Sequence, residues 1–310
     1  MQEAIRNTEK YIQEHGGKML RKKTQSPMDN HYRPELDVSP LLGPDRANYY
    51  QSQLGILRWA VELGRMDIAT EVSMLAAHNA LPREGHLAAV FRIYSYLKTK
   101  PNARLIFDPT YSEIDYDSFP QENWKDFYGD VSEAIPPNAP PPLGKPVEVR
   151  CYVDADHAGD KLTRRSQTGI IIFLNNAPII WYTKKQNTVE TSSFGSEFVA
   201  LKVATEMLRG LRYKLRMMGI PVAGPTYIYC DNNSVVINSS RPASTLKKKS
   251  NSIAYHCVRE SVAADEQRVT YESTHTNLAD LMTKPLPGGS HRDHMVSSLL
   301  HDIIPAAAMA

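Results

Sequence analysis

Cysteine is scarce in this chain. Only Cys151, Cys230 and Cys257 occur among 310 residues, and they lie far apart. No CxxC pair or Cys/His ligand spacing exists, which argues against a zinc site. The small, odd count points to a reducing compartment. No run of about 18 apolar residues occurs, so no transmembrane helix is expected. The opening residues MQEAIRNTEK are charged and lack the apolar core of a secretory leader. Charge of one sign is also missing. The formal net charge is +2, so local charge must carry any argument for nucleic-acid binding. What is present is ordinary for a soluble globular protein, with 42% hydrophobic and 23% charged residues. A soluble intracellular chain of two compact units is expected, at about 150 residues per domain.

The sharpest change of composition falls at residues 108–146. The segment begins acidic and aromatic, then runs into AIPPNAPPPLGKP. Prolines lack amide donors and favour extended chain, so this stretch is read as a linker, with a long strap across one domain as the alternative. Upstream, residues 1–107 read as a small helical unit. One helix covers roughly 2–14. Leu54, Leu57, Val61 and Met66 recur near helical period. A second helix follows over Asp67–Asn79, Pro82 breaks it, and REGHLAAVFRIYSYLKTK forms another, with ARLIFD as a β-like tail. Downstream the period changes to two. EVRCYVDAD, TGIIIFLNN and PIIWYTKK read as strands, the last two joined by a turn at Asn175-Asn176. Residues 192–218 form a long helix, TYIYCD a strand, Asn232–Ser240 and Ser252–Glu266 helices, RVTYEST a strand, and Leu278–Lys284 a last helical turn. The order βββ-α-β-α-α-β-α predicts an α/β layered domain with a mixed sheet over 147–290. Residues 291–310 read as a short helix and tail.

Four carboxylates stand out. Asp154 and Asp231 each end a strand, where open α/β sheets place functional groups. Taken singly, either reads equally as a turn former or helix cap. Glu197 opens a stripe of Leu201, Ala204, Leu208, Leu211 and Leu215 that should pack on the sheet. A glutamate there is costly unless paired or metal-bound, although a first-turn residue favouring the helix dipole is the bland alternative. Asp280 follows Asn277 and can be part of a cap. If the four converge, they repel one another without cations, and hard oxygen ligands suit Mg²⁺.

The same residues carry a family resemblance. YVDADHAGD, RRSQTGIIIFLNNAPIIWYTKKQ, ETSSFGSEFVALKVATE, YIYCDNNSV, LKKKSNSIAYHCVRE and NLADLMTKPLP occur in order. Together they resemble the ribonuclease H domain of copia-type LTR retrotransposon Pol polyproteins. The segment HYRPELDVSPLL with YYQSQLGILRWAVELGRMDIATEVSMLAAHNALPREGHLAAVFRIYSYLK resembles the thumb and connection region that precedes it. The polymerase's YVDD-type aspartate pair is absent, so no DNA synthesis by this chain alone is implied. The resemblance implies a ribonuclease H-like five-stranded mixed sheet with flanking helices, preceded by a small helical domain. It implies a metal-dependent endoribonuclease that cuts the RNA strand of RNA–DNA hybrids during reverse transcription. Asp154, Glu197, Asp231 and Asp280 would hold two Mg²⁺ ions, with Mn²⁺ able to substitute. Asp154 would touch both ions, Glu197 and Asp231 one side, Asp280 the other.

His275 stands where the resemblance implies a loop histidine aiding product release; an ordinary solvent histidine is the alternative. His157 and Ser250 stand where many relatives carry Trp and His. Lys184, Lys185, Arg209, Arg212, Arg216, Lys247, Lys248 and Lys249 are candidate phosphate contacts, or simply solvated charge. The implied partners are an RNA–DNA hybrid and the remainder of a reverse transcriptase, with no membrane. The implied place is a cytoplasmic virus-like particle or the nucleus. Two other readings stay open: a catalytically inactive remnant that binds nucleic acid or scaffolds a polymerase, and an integrase-like nuclease cutting duplex DNA.

Overall fold

The computed structural model describes residues 1–246 and 251–302. The chain divides into two units. Unit 1 holds Met1–Ile106, Asp160–Arg164 and the chain from Thr283 onward; unit 2 holds Phe107–Gly159 and Arg165–Met282.

Unit 1 is helical, with α1 (Gln2–Glu14), α2 (Pro44–Glu62), α3 (Ala69–Ala76) and α4 (Glu84–Thr99). Pro44 lies in the first turn of α2, where a missing N–H costs nothing, and Asp45 favours the positive end of the helix dipole. Before α4 the Arg83 amide donates to Nδ1 of His86 at 3.1 Å. Leu54 and Leu57 of α2, Val72 and Leu75 of α3, and Leu87, Val90, Ile93 and Leu97 of α4 share one buried cluster. The Tyr50 hydroxyl donates to the Leu75 carbonyl at 2.7 Å, so its burial leaves no polar atom stranded. The β-like tail is the short strand β1 (Ala103–Arg104).

Unit 2 is the expected α/β unit. Its sheet contains β2 (Val149–Asp156), β3 (Gln167–Leu174), β4 (Ala177–Lys185), β5 (Thr226–Cys230) and β6 (Gln267–Tyr271). The spatial order is β4-β3-β2-β5-β6. The β2–β3 and β3–β4 pairs are antiparallel, while β5 runs parallel to both β2 and β6, so the sheet is mixed. Asn175 takes a positive φ of 53° in the turn between β3 and β4, a conformation asparagine tolerates. The register slips by one residue where Phe173 faces Pro178, which has no amide to offer the ladder.

Along β2, Val149, Cys151, Val153 and Ala155 alternate into the core with Phe198, Leu201, Ala204 and Leu208 of α6 (Ser193–Met217). Ser192 caps α6, its side chain accepting from the Gly195 amide. The helices α7 (Asn233–Ser240) and α8 (Ser252–Ala263) follow as expected, with Asn232 capping α7 through Ser234 and Val235.

Residues 108–146, read from the sequence as a linker, belong with unit 2 and lie across it as a strap. It holds a 3-10 turn at Tyr116–Ser118 and the short helix α5 (Lys125–Tyr128). Ile114 and Phe119 bury themselves against Tyr227, and Trp124 enters the main core. The Leu143 amide donates to the Gly219 carbonyl at 2.8 Å and Thr270 donates to the Ser118 carbonyl at 2.7 Å. Proline removes regular structure here but not burial, because the aromatic residues ahead of it supply apolar area. The downstream boundary also moves. Unit 2 ends at Met282 rather than at 290, and the chain then rejoins unit 1. There α9 (Ser290–Leu299) precedes β7 (His301–Asp302), which pairs antiparallel with β1. The rest of the expected tail lies outside the described residues. Among those described, no helix is long and apolar enough to cross a membrane.

Candidate metal centre

Parallel pairing of β2 and β5 sets the first two acids side by side. Val153 is the register partner of Cys230, so Asp154 and Asp231, the next residues, stand side by side, Asp231 just past the end of β5 and Asp154 still within β2 opposite Gly169 of β3. Asp154 sits opposite in facing to Val153 and Ala155, away from the α6 core, by the two-residue period of a strand. Glu197 comes from the start of α6, just inside the Ser192 cap. Asp280 comes from a 3-10 turn over Leu278–Met282. That turn is pinned to β2 by Asn277. Its Nδ2 donates to the Val153 carbonyl at 3.0 Å, and its Oδ1 accepts from the Ala279 amide at 3.1 Å. The sequence marks Asn277 as a cap; it is also the tie that holds Asp280 beside the strand carrying Asp154.

The four acids converge. One ligand atom each from Asp154, Asp231 and Asp280 lie within 4.8 Å of one another, and so do atoms from Glu197, Cys230 and Asp231. Asp231 is common to both groups, the place the resemblance assigned to Asp154. Asp154 is 4% exposed, Glu197 8% and Asp280 1%, so little solvent screens them. Burial first, then the charges of Asp154 and Asp231, push the Glu197 carboxyl up to about 9. Cys230 donates its thiol to Glu197 Oε2 at 3.7 Å, and burial and Glu197 push that thiol well above its usual range. Asp154, Glu197, Asp231 and Asp280 supply hard carboxylate oxygens around it. Such oxygens suit a hard divalent cation such as Mg²⁺ or Mn²⁺. A cation here would relieve the repulsion that raises Glu197. Thr274, not flagged by the sequence, donates to Asp231 Oδ2 at 2.9 Å.

The remaining candidates divide. His275 is exposed on the same loop as Thr274, between β6 and the 3-10 turn, and is in neither ligand group. His157 Nδ1 lies 3.3 Å from the hydroxyl of Ser196, the residue before Glu197 in the chain. Lys185 pairs with Gln167, itself the partner of Asp156, so Lys184 and Lys185 stand at the acids' edge, two strands over. Arg212 is a correction. It is 3% exposed and grips Glu133 of the strap through Nε and Nη2 at 2.8 and 2.7 Å, which leaves it no path to a phosphate. Arg216 joins the same Glu133, and Arg209 donates to Glu266 at 2.6 Å. The arginine stripe thus fastens the strap and α8 side of unit 2, because its acid partners come from distant chain that helical spacing cannot reveal. Lys247, Lys248, Lys249 and Ser250 lie outside the described residues.

No protein-family model matches the chain. It is 30% identical over 237 residues to the retrovirus-related Pol polyprotein from transposon RE1 of Arabidopsis thaliana, covering 76% of this chain and 14% of the relative. It is 25% identical over 270 residues to the retrovirus-related Pol polyprotein from transposon TNT 1-94 of Nicotiana tabacum, covering 86% of this chain and 18% of the relative. Among solved structures it is similar to RNase H1 from Halobacterium salinarum NRC-1, with 14% identity and a TM-score of 0.35, covering 44% of this chain and 94% of that one. The chain thus spans a small part of the Pol polyproteins it matches. Over most of its own length it is a homologue of a segment of the retrovirus-related, copia-type Pol polyproteins of transposons.

Proposed function

We propose that unit 2 is a ribonuclease H that hydrolyses the RNA strand of an RNA–DNA hybrid. The observation that carries the reading is the convergence of Asp154, Glu197, Asp231 and Asp280 from four separate elements onto one edge of the sheet. Homology to transposon Pol polyproteins supports it, since reverse transcription leaves hybrids to be cleared. Asp154, Asp231 and Asp280 would hold one divalent cation and Glu197 with Asp231 a second. Such ions lower the pKa of a bound water and steady the leaving oxygen in phosphodiester hydrolysis.

The residues of this chain do the positioning. Asn277 fixes Asp280 to β2, and Thr274 orients the Asp231 carboxylate. The Ser192 cap starts α6 so that Glu197 meets Asp231. Lys184 and Lys185, at the same edge, would contact the hybrid's backbone. RNA would be told from DNA through its 2′-hydroxyls. His275, exposed on the loop next to Thr274, would aid product departure.

The test is incubation of the purified chain with labelled hybrid in Mg²⁺. Cleavage of the RNA strand is expected, with 5′-phosphate and 3′-hydroxyl ends, and duplex DNA is left intact. Asp154→Asn should lower the rate by about a thousandfold, the scale of several kcal/mol of lost transition-state stabilisation. Cutting of duplex DNA in place of hybrid would favour an integrase-like nuclease. Hybrid binding without cleavage would favour an inactive remnant.

A further inference from the structure

Unit 1 contains a polar pocket that the metal centre does not use. It has a volume of about 300 Å³ and is lined in part by Arg21, Lys23, Thr24, Asn30, Arg92 and Gly288. None of its lining residues is acidic. The wall is built in advance rather than assembled from loose side chains. The Arg21 amide donates to Ser95 Oγ at 3.2 Å and the Thr24 amide to Thr99 Oγ1 at 3.0 Å, which lays residues 21–24 along α4. The Arg92 guanidinium is held by Ser26, through its carbonyl at 3.3 Å and its hydroxyl at 3.2 Å. Its one acidic neighbour is Asp29 at 3.7 Å, which is half exposed and outside the lining. Gly288 closes the rim where no side chain fits, since a Cβ there would collide with Gln25 Cβ.

Three cations, a hydroxyl and amide groups around a small open space make an anion site, not an apolar one. A guanidinium fixed in its plane beside an exposed ammonium and a second guanidinium suits the tetrahedral oxygens of phosphate. We propose that this pocket binds a phosphate group of a nucleic-acid strand. The inference rests on the nuclease reading for the identity of the strand. It adds an anchor in unit 1 that serves affinity, because phosphate contacts position a strand without reading its sequence.

The test measures binding of fluorescein-labelled RNA–DNA hybrid to the full chain by anisotropy over a range of salt, with Ca²⁺ replacing Mg²⁺ to prevent cleavage. Arg21 and Lys23 are exposed, so R21A/K23A should fold and melt as the parent does. Its affinity should fall about tenfold, and the slope of log K against log salt should shrink by about 1 for each phosphate no longer neutralised. Asn30→Asp sets a carboxylate in the same wall and should weaken binding likewise. Both variants should keep the parental cleavage rate at saturating hybrid. Unchanged affinity and salt slope in both variants, with cleavage intact, overturns the pocket and leaves the nuclease standing. Inorganic phosphate that protects the parent against thermal melting, while hybrid affinity stays equal in parent and variants, reassigns the pocket to a free anion. A parent chain that neither binds nor cleaves hybrid overturns the nuclease reading and the pocket with it.

Discussion

Glu197 sits where a carboxylate has least reason to be: buried, at the head of an apolar helix stripe, and within reach of Asp231. With its folded pKa near 9 against an ordinary 4.5, the folded chain binds more protons than the unfolded chain between those values. Stability from this group is complete below pH 4.5 and is lost as the pH rises towards 9. Glu197→Gln removes the ionisation. In EDTA at pH 8 the variant is expected to melt higher than the parent, on the order of a few degrees, with the gap closing near pH 5. Glu71 is also pushed up by burial, to about 7, so only the difference between variant and parent isolates Glu197. Adding Mg²⁺ should raise the parent's melting temperature and hardly move the variant's. A variant no more stable than the parent at pH 8 would mean that Glu197 is not held against its charge. Asn277→Ala tests positioning at the same scale. Losing the tie to Val153 should cost about 1 kcal/mol of stability and lower the cleavage rate about 10- to 100-fold, with hybrid affinity retained.

Among elements, the strap is the part least legible in the sequence. Its proline run excludes helix and sheet, a pattern that a free linker shares. The signal of packing lies in Ile114, Phe119 and Trp124, which are too apolar for a solvated tether. Phe119 meets Tyr227 and Tyr229 edge-on at 4.9 and 5.4 Å, and Tyr229 stacks on Tyr152 at 4.8 Å. The part of the strap that holds Ile114 and Phe119 therefore covers the sheet face that α6 does not, while Trp124 and Glu133 lie on the α6 side. A chain beginning at residue 147 should expose that face, bind a hydrophobic dye and aggregate, whereas one beginning at 107 should not. At the strap's far end burial pushes the Glu133 carboxyl up, but hydrogen bonds and charge from Arg212 and Arg216 outweigh it and hold it at about 2. Here the sign is opposite to that of Glu197. The stabilisation is complete above pH 4.5 and is lost as the pH falls towards 2. Glu133→Ala, measured by urea unfolding at pH 7, should cost about 3 kcal/mol because it strands the buried Arg212.

At the scale of the whole chain, the change from helical to two-residue period separates a helical part from a mixed-sheet part, and the structure has both. Strands and helices of unit 2 are legible because each buries one face, and burial writes a period into the sequence. The acids are legible as strand-end and helix-start anomalies, and the family motifs tie them together. The arginine stripe misleads because ion pairs join residues such as Glu133 and Arg212 that no local spacing links. Likewise the return of the chain to unit 1 after Met282 depends on long-range packing, such as the burial of Arg292 near Glu71. Crystals of the chain soaked in Mn²⁺ and measured for anomalous scattering would test the metal centre most directly. Peaks are expected against Asp231, one shared with Asp154 and Asp280 and one with Glu197. An ordered cluster with no anomalous peak among those carboxylates would contradict it.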